Sequence, residues 1–141
     1  SQRGGSVASH LKIGDFDGPM IRRGSADVVI GFEPNELLRA LPFLSPGGLC
    51  CGAVAAPGLP DSILTALAGM GAGTVLVDAR SIALDLGNAN LTNVVLIGAA
   101  AGKPGFPFGY QLLEETLSRV APKKYRELNL AALKAGRQVK G

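Results

Sequence analysis

The sequence predicts an α/β domain: a mostly parallel sheet with helices on its faces, followed by a helical C-terminal part. Three observations predict it. Between residues 26 and 86, apolar runs of strand length alternate with amphipathic runs of helix length. The apolar runs are nearly continuous, as expected of strands covered on both faces. Beyond residue 93 the pattern is helical only, which leaves the sheet to the first two thirds of the chain.

Taken in order, the first residues, Ser1-Gln2-Arg3-Gly4-Gly5-Ser6-Val7, form a glycine-bearing loop that runs into a strand. Residues 6–13 alternate, with Val7, Leu11 and Ile13 on one face and Ser6, His10 and Lys12 on the other, the period-two pattern of a half-buried strand. A domain seldom starts inside a loop, so a missing start is expected. Gly14-Asp15-Phe16-Asp17-Gly18-Pro19 has turn chemistry. Ala26–Phe32 reads as a buried strand, and Pro34 opens a helix over Asn35–Leu41, because a proline ring is favourable in a first helical turn. Gly48–Val54 is the next strand. Ser62–Met70 is a helix with Ile63, Leu64, Leu67 and Met70 on one face. Thr74–Val77 is a short buried strand, and Ser81–Leu86 is a helical turn or two closed by Gly87. Three helices complete the chain: Asn93–Ala101, apolar on all sides; Gln111–Val120, with Leu112, Leu113, Leu117 and Val120 on one face; and Tyr125–Lys140, with Leu128, Ala132, Leu133 and Gly136. A helix apolar on all sides is buried against the sheet or a neighbouring subunit, so self-association is an expectation.

Composition narrows the function classes. The chain of 141 residues is large enough for one core, and 47% apolar residues suit a globular protein. Pro, Gly or charge interrupts every apolar run before eighteen residues, and no basic-then-apolar leader is visible, so a cytoplasmic location is expected. Cys50 and Cys51 are adjacent, so they neither brace distant segments nor offer metal-ligand spacing, and four soft ligands for zinc or a cluster are not available. Charge is uneven: residues 1–121 carry eight Lys/Arg against ten Asp/Glu, and residues 122–141 carry six against one. That basic end suits nucleic acid, an acidic partner or an anionic cofactor, or is a solvated helix face. The solvated face is the simplest account, so neither nucleic acid nor a membrane is expected as a partner.

Several motifs fail on context. Gly69-Met70-Gly71-Ala72-Gly73 precedes a strand, whereas a dinucleotide-binding turn follows one, so it reads as a helix stop. Gly14–Gly18 lacks the later oxygen ligands of a calcium loop and does not complete a thiamine diphosphate motif. Gly102-Lys103-Pro104 lacks the loop of a phosphate-binding P-loop. The one histidine, His10, has no cysteine paired with it by any recognised motif, so no catalytic residue is expected on this chain, and no metal ligand. Carboxylates at strand ends are better placed, because open α/β sheets bind ligands beyond the carboxyl ends of their strands: Glu33 after Phe32, and Asp78 after Val77, the latter favoured as a helix cap. Asn129 lies beside Leu128 on the apolar face of the last helix and needs hydrogen bonds if buried, which favours a structural role.

Four segments together carry a resemblance: Ser1–Leu11; Ala26–Glu33; Val77-Asp78-Ala79 and Ile82-Ala83 with Gly87-Asn88 and Asn93–Ala99; and Glu127–Ala132. In this order they resemble the gamma domain of 2-oxoacid:ferredoxin oxidoreductases, most of all the beta subunits of the indolepyruvate type. The resemblance implies a Rossmann-like three-layer fold and a single gamma-type domain over 1–141, apparently lacking its first strand and the family's Gly-x-Gly-Gly-x-Gly turn. It implies a non-redox subunit, inactive without its partner, of a complex that oxidatively decarboxylates a 2-oxoacid, such as indolepyruvate or another aryl pyruvate, with coenzyme A as cosubstrate, and reduces ferredoxin. Thiamine diphosphate and iron–sulfur clusters are implied on the partner subunit, not on this chain. Arg3, Gly4, Gly5, Glu33 and Asn88 are the residues expected to meet a cofactor. A stand-alone α/β binding or scaffold module without catalytic activity is the alternative.

Overall fold

The computed structural model describes residues 8–14 and 16–139. Three strands, β1 (Ala26–Gly31), β2 (Leu44–Ala53) and β3 (Gly73–Val77), form a parallel sheet in the order β1-β2-β3. Helix α1 (Pro34–Ala40) connects β1 to β2, and α2 (Asp61–Gly69) connects β2 to β3. Helices α3 (Ala79–Asp85), α4 (Thr92–Ala100), α5 (Tyr110–Val120) and α6 (Arg126–Arg137) follow. The predicted alternation, parallel sheet and helical C-terminal part are all present, with ends displaced by a few residues.

Successive side chains of a strand point to opposite faces, and here both faces are covered. Val29, Cys50 and Leu76 pack with Leu37 of α1 and Leu67 of α2. Val28, Ile30, Leu49, Cys51, Val75 and Val77 pack with Ala83 of α3, Val95, Leu96 and Ala99 of α4, and Ala132 of α6. The result is three layers: α1 and α2, the sheet, then α3, α4 and α6.

The adjacent cysteines therefore belong to different layers. Both are free and fully buried. Burial pushes the Cys50 thiol up to about 11, and burial together with the proximity of Cys50 pushes Cys51 up to about 12, from an ordinary value of 9.0. The unfolded chain releases these protons near 9.0, and the folded chain holds them to higher pH. The thiols thus lend full support to the folded state below that value and lose it as pH rises towards about 11 and 12. Urea midpoints measured from neutral to alkaline pH are expected to fall over that window, and less steeply in Cys51→Ala. A midpoint that stays level there in the wild-type protein contradicts this burial.

The expected strand at 6–13 is not formed where the structure describes it. Residues 8–13 pair with no strand among the described residues. His10 instead accepts a hydrogen bond at Nδ1 from the backbone N–H of Ile21 at 2.9 Å and sets its ring edge-on to Phe43. Leu11 and Ile13 are left 71% and 61% exposed. Alternation alone does not make a strand when the backbone lacks a ladder. β2 also starts earlier than predicted. Ala26 pairs with Leu44 but Val28 with Leu49, so the segment around Ser45-Pro46-Gly47 bulges out, as suits a proline that cannot donate to a ladder.

Helix α4, apolar all round, is mostly covered from within. The sheet, α3 and α6 bury Val95, Leu96, Gly98, Ala99 and Ala100. Only Asn93, Val94 and Ile97 reach an apolar groove of about 220 Å³ shared with Leu113, Leu117 and Val120 of α5. The premise for self-association, a half-covered α4, is narrowed to that groove. No helix of the described residues is long and apolar enough to cross a membrane.

Candidate binding site

Two loops meet beside α4. The first leaves α3 through Gly87, whose φ of 104° admits the left-handed turn that ends the helix. There the N–H of Gly87 donates to the carbonyl of Leu84 at 2.9 Å and that of Asn88 to Ala83 at 3.1 Å, the paired bonds of a glycine helix stop. Asn88 then caps the short 3-10 turn Ala89–Leu91: its Oδ1 accepts from the Asn90 N–H at 2.9 Å. The second loop runs from Ala121 through Pro122 and the 3-10 turn Lys123–Tyr125 into α6. One turn into α6, the Asn129 side chain donates from Nδ2 to the carbonyl of Tyr125 at 2.9 Å.

Between these loops lies a cavity of about 340 Å³ lined by Asn88, Asn90, Leu91, Pro122, Tyr125, Leu128 and Asn129. Its lining is mixed, with Leu91, Pro122 and Leu128 beside three carboxamides and a phenol, and it is open to solvent on the side of the exposed Asn88, Asn90, Pro122 and Tyr125.

The sequence-predicted residues fall in separate places. Asn88 lines this cavity. Glu33 is exposed at the carboxyl end of β1, in extended conformation ahead of α1, and its side chain makes no cap. Asp78 is spent on its own helix: Oδ1 accepts from the Ser81 N–H at 3.2 Å and Oδ2 from the Ser81 hydroxyl at 2.8 Å. The cap reading holds for it. Arg3, Gly4 and Gly5 lie outside the described residues. Asn129, read from sequence as an amide needing partners, makes a structural bond and also lines the cavity. Asn90 and Tyr125 also line it, and their only signal in the sequence is their nearness to Asn88 and Asn129. The Gly69–Gly73 run is the helix stop it was read as, with Gly71 at φ 70° and the N–H of Ala72 donating to Leu67 at 3.0 Å. No group of three or more His, Cys, Asp or Glu among the described residues is placed to hold a metal ion.

Residues 1–139 match the family model described as pyruvate ferredoxin/flavodoxin oxidoreductase. The chain belongs to this family. Similar relatives include proteins named indolepyruvate oxidoreductase subunit IorB. That of Archaeoglobus fulgidus is 37% identical over 149 residues and that of Thermococcus kodakarensis 34% over 150. Each alignment covers 96% of this chain and 74% of the relative. A similar solved structure is a keto/oxoacid ferredoxin oxidoreductase gamma subunit from Geobacter sulfurreducens, with a TM-score of 0.60 at 19% identity. It matches 80% of this chain, which spans 63% of that one, and it shares the three-layer fold.

Proposed function

We propose that this chain is a non-redox subunit of a 2-oxoacid:ferredoxin oxidoreductase, one that takes indolepyruvate or another aryl pyruvate and uses coenzyme A as cosubstrate. The observation that carries the reading is the 33–37% identity, over most of the chain, to relatives named indolepyruvate oxidoreductase subunits. The cysteine geometry supports the division of labour. Cys50 and Cys51 face opposite layers and are fully buried, so the two thiols of this chain cannot share an iron–sulfur cluster. Thiamine diphosphate and the clusters then belong to the catalytic partner subunit, and electrons leave the complex to ferredoxin. Residues 1–141 act as one gamma-type domain, and Arg3, Gly4, Gly5, Glu33 and Asn88 are its candidate cofactor contacts.

Co-expression of the protein with the thiamine-bearing subunit of its native host tests this. The purified complex is expected to reduce ferredoxin with indolepyruvate in a coenzyme A-dependent manner, and omission of either subunit is expected to abolish turnover. Turnover by the chain alone, or equal turnover by the catalytic subunit without it, overturns the reading. Failure of the two proteins to associate favours the scaffold alternative.

A further inference from the structure

We propose that His10 is a pH-sensitive latch: its neutral ring holds the arm Leu11–Met20 against the α1 side of the fold, and protonation of the ring lets the arm go. The arm has little else to hold it. Among the described residues of 8–20, only His10 and Lys12 are less than exposed, and Leu11, Ile13, Phe16 and Met20 stand between 61% and 71% exposed. Lys12 serves the arm itself. Its ammonium donates to the carbonyls of Asp17 at 3.3 Å and Gly18 at 3.2 Å and lies 5.9 Å from the centre of the Phe16 ring, which closes the arm into a loop. The base of that loop meets the core only where the His10 ring touches Ile21 and Phe43, both packed on the α1-side cluster with Leu37.

The bond at this base forms in one charge state only. The Ile21 backbone N–H is always a donor, and it donates to Nδ1 of His10 at 2.9 Å, which accepts only while that nitrogen carries no proton. In an imidazolium both ring nitrogens are donors. Protonation therefore sets two N–H groups against each other and leaves the part-buried Ile21 N–H without a partner, which a backbone donor away from water does not tolerate cheaply. The T-shaped contact with Phe43, at 5.4 Å between ring centres, is open to either charge state, so the hydrogen bond decides. The surroundings offer the charged ring no compensation. The turn Leu41–Phe43 carries no titratable side chain; Arg39 precedes it, and Arg22 and Arg23 follow Ile21, all of them cations. The carboxylates Asp17 of the arm and Glu36 of α1 make no hydrogen bond to the ring among the described residues. Latched, the four apolar side chains form a fixed surface; unlatched, they do not.

His10 is the one histidine of the sequence, so its ring signals in an NMR spectrum need no sorting from others. The test follows the full, ¹⁵N-labelled chain from about pH 8 to about pH 5, the range in which histidine changes charge. The Ile21 amide and the amides of 11–20 are expected to shift with the same midpoint as the His10 ring, and the heteronuclear NOE of 11–20 to fall towards acid pH. Protection of the Ile21 amide from exchange, corrected for the intrinsic effect of pH, is expected to drop about tenfold, the scale of one hydrogen bond. His10→Gln, which carries an acceptor at every pH, is expected to keep the arm ordered throughout. His10→Phe, which keeps a ring beside Phe43 and has no acceptor, is expected to leave it mobile at both ends of the range. An Ile21 amide and an arm that stay unchanged while the ring titrates overturn the proposal, as does a pH response retained in His10→Gln or an ordered arm in His10→Phe. Every readout comes from the chain itself, so none of these outcomes depends on the proposed enzyme function.

Discussion

Gly136→Ala is expected to destabilise the protein by up to about 2 kcal/mol, although the same change in an open helix position is stabilising. Two effects oppose each other. Alanine is favoured over glycine inside a helix by about 1 kcal/mol. Against this, a Cβ at position 136 would run into the Val95 carbonyl oxygen and sit 2.9 Å from the Ala99 nitrogen. Both belong to the backbone of α4, so no rotamer change relieves the collision. The crossing is reciprocal, because a Cβ at Gly98 of α4 would meet the Leu133 carbonyl of α6. The helices must separate, and Val95 and Leu133, both buried at this contact, lose their packing. Overpacking of this kind typically costs about 1 to 3 kcal/mol and sometimes more, which exceeds the propensity gain. Gly69 is the internal comparison: at the end of α2, its added Cβ meets nothing within 4 Å. Urea denaturation of Gly136→Ala and Gly69→Ala side by side checks the sign, with the first expected to lose stability and the second to keep or gain it. A gain in both refutes the close crossing of α4 and α6.

Gly136 was legible as part of the apolar face of the last helix, and that illustrates how far sequence reaches here. Periodicity identifies which residues face inward, because burial of apolar side chains is what the period records. The three strands and the six helices follow from it, and so does the burial of the Cys50-Cys51 pair within an apolar run. The partner of each face is not local information. The alternation at 6–13 is real, yet a strand requires a neighbouring ladder, and among the described residues His10 is engaged by Ile21 instead. The bulge near Pro46 was missed for a related reason: the register of Ala26 on Leu44 and Val28 on Leu49 depends on two strands at once. The cavity lies at the same limit. Asn88 stands out in its segment as a candidate contact and Asn129 as a structural amide among apolar residues, but that Asn88 and the Tyr125–Asn129 turn line one hollow depends on how α6 packs against the preceding helices, which is not local information.

Leu37→Ala is expected to cost about 3 kcal/mol, and a second substitution at Gly52 is expected to return part of that loss. Leu37 is fully buried on the α1 side of the sheet, among Val29, Cys50, Val54 and Leu67. The sheet is shaped to receive it. A Cβ on Gly31 would meet the Leu37 Cβ at 2.5 Å, and one on Gly52 would meet the Leu37 Cδ2 at 2.5 Å, so both glycines leave room for this one side chain. Truncation to alanine removes its apolar burial and leaves a void, for which buried leucines typically cost about 2 to 5 kcal/mol. Gly52→Ala alone is expected to cost about 1 to 3 kcal/mol, because its methyl competes with Leu37 for the same space. In Leu37→Ala that competitor is gone, and the methyl on residue 52 then occupies part of the void, with Leu76 Cδ2 and Val54 Cγ2 at 3.2 Å as its other neighbours. The double variant is therefore expected to be more stable than the sum of the single losses predicts, with a coupling of about 1 kcal/mol or more. Thermal and urea unfolding of the four proteins of this cycle measure it. Strict additivity would mean that Leu37 does not fill the hollow at Gly52, and that α1 sits on the sheet in some other register.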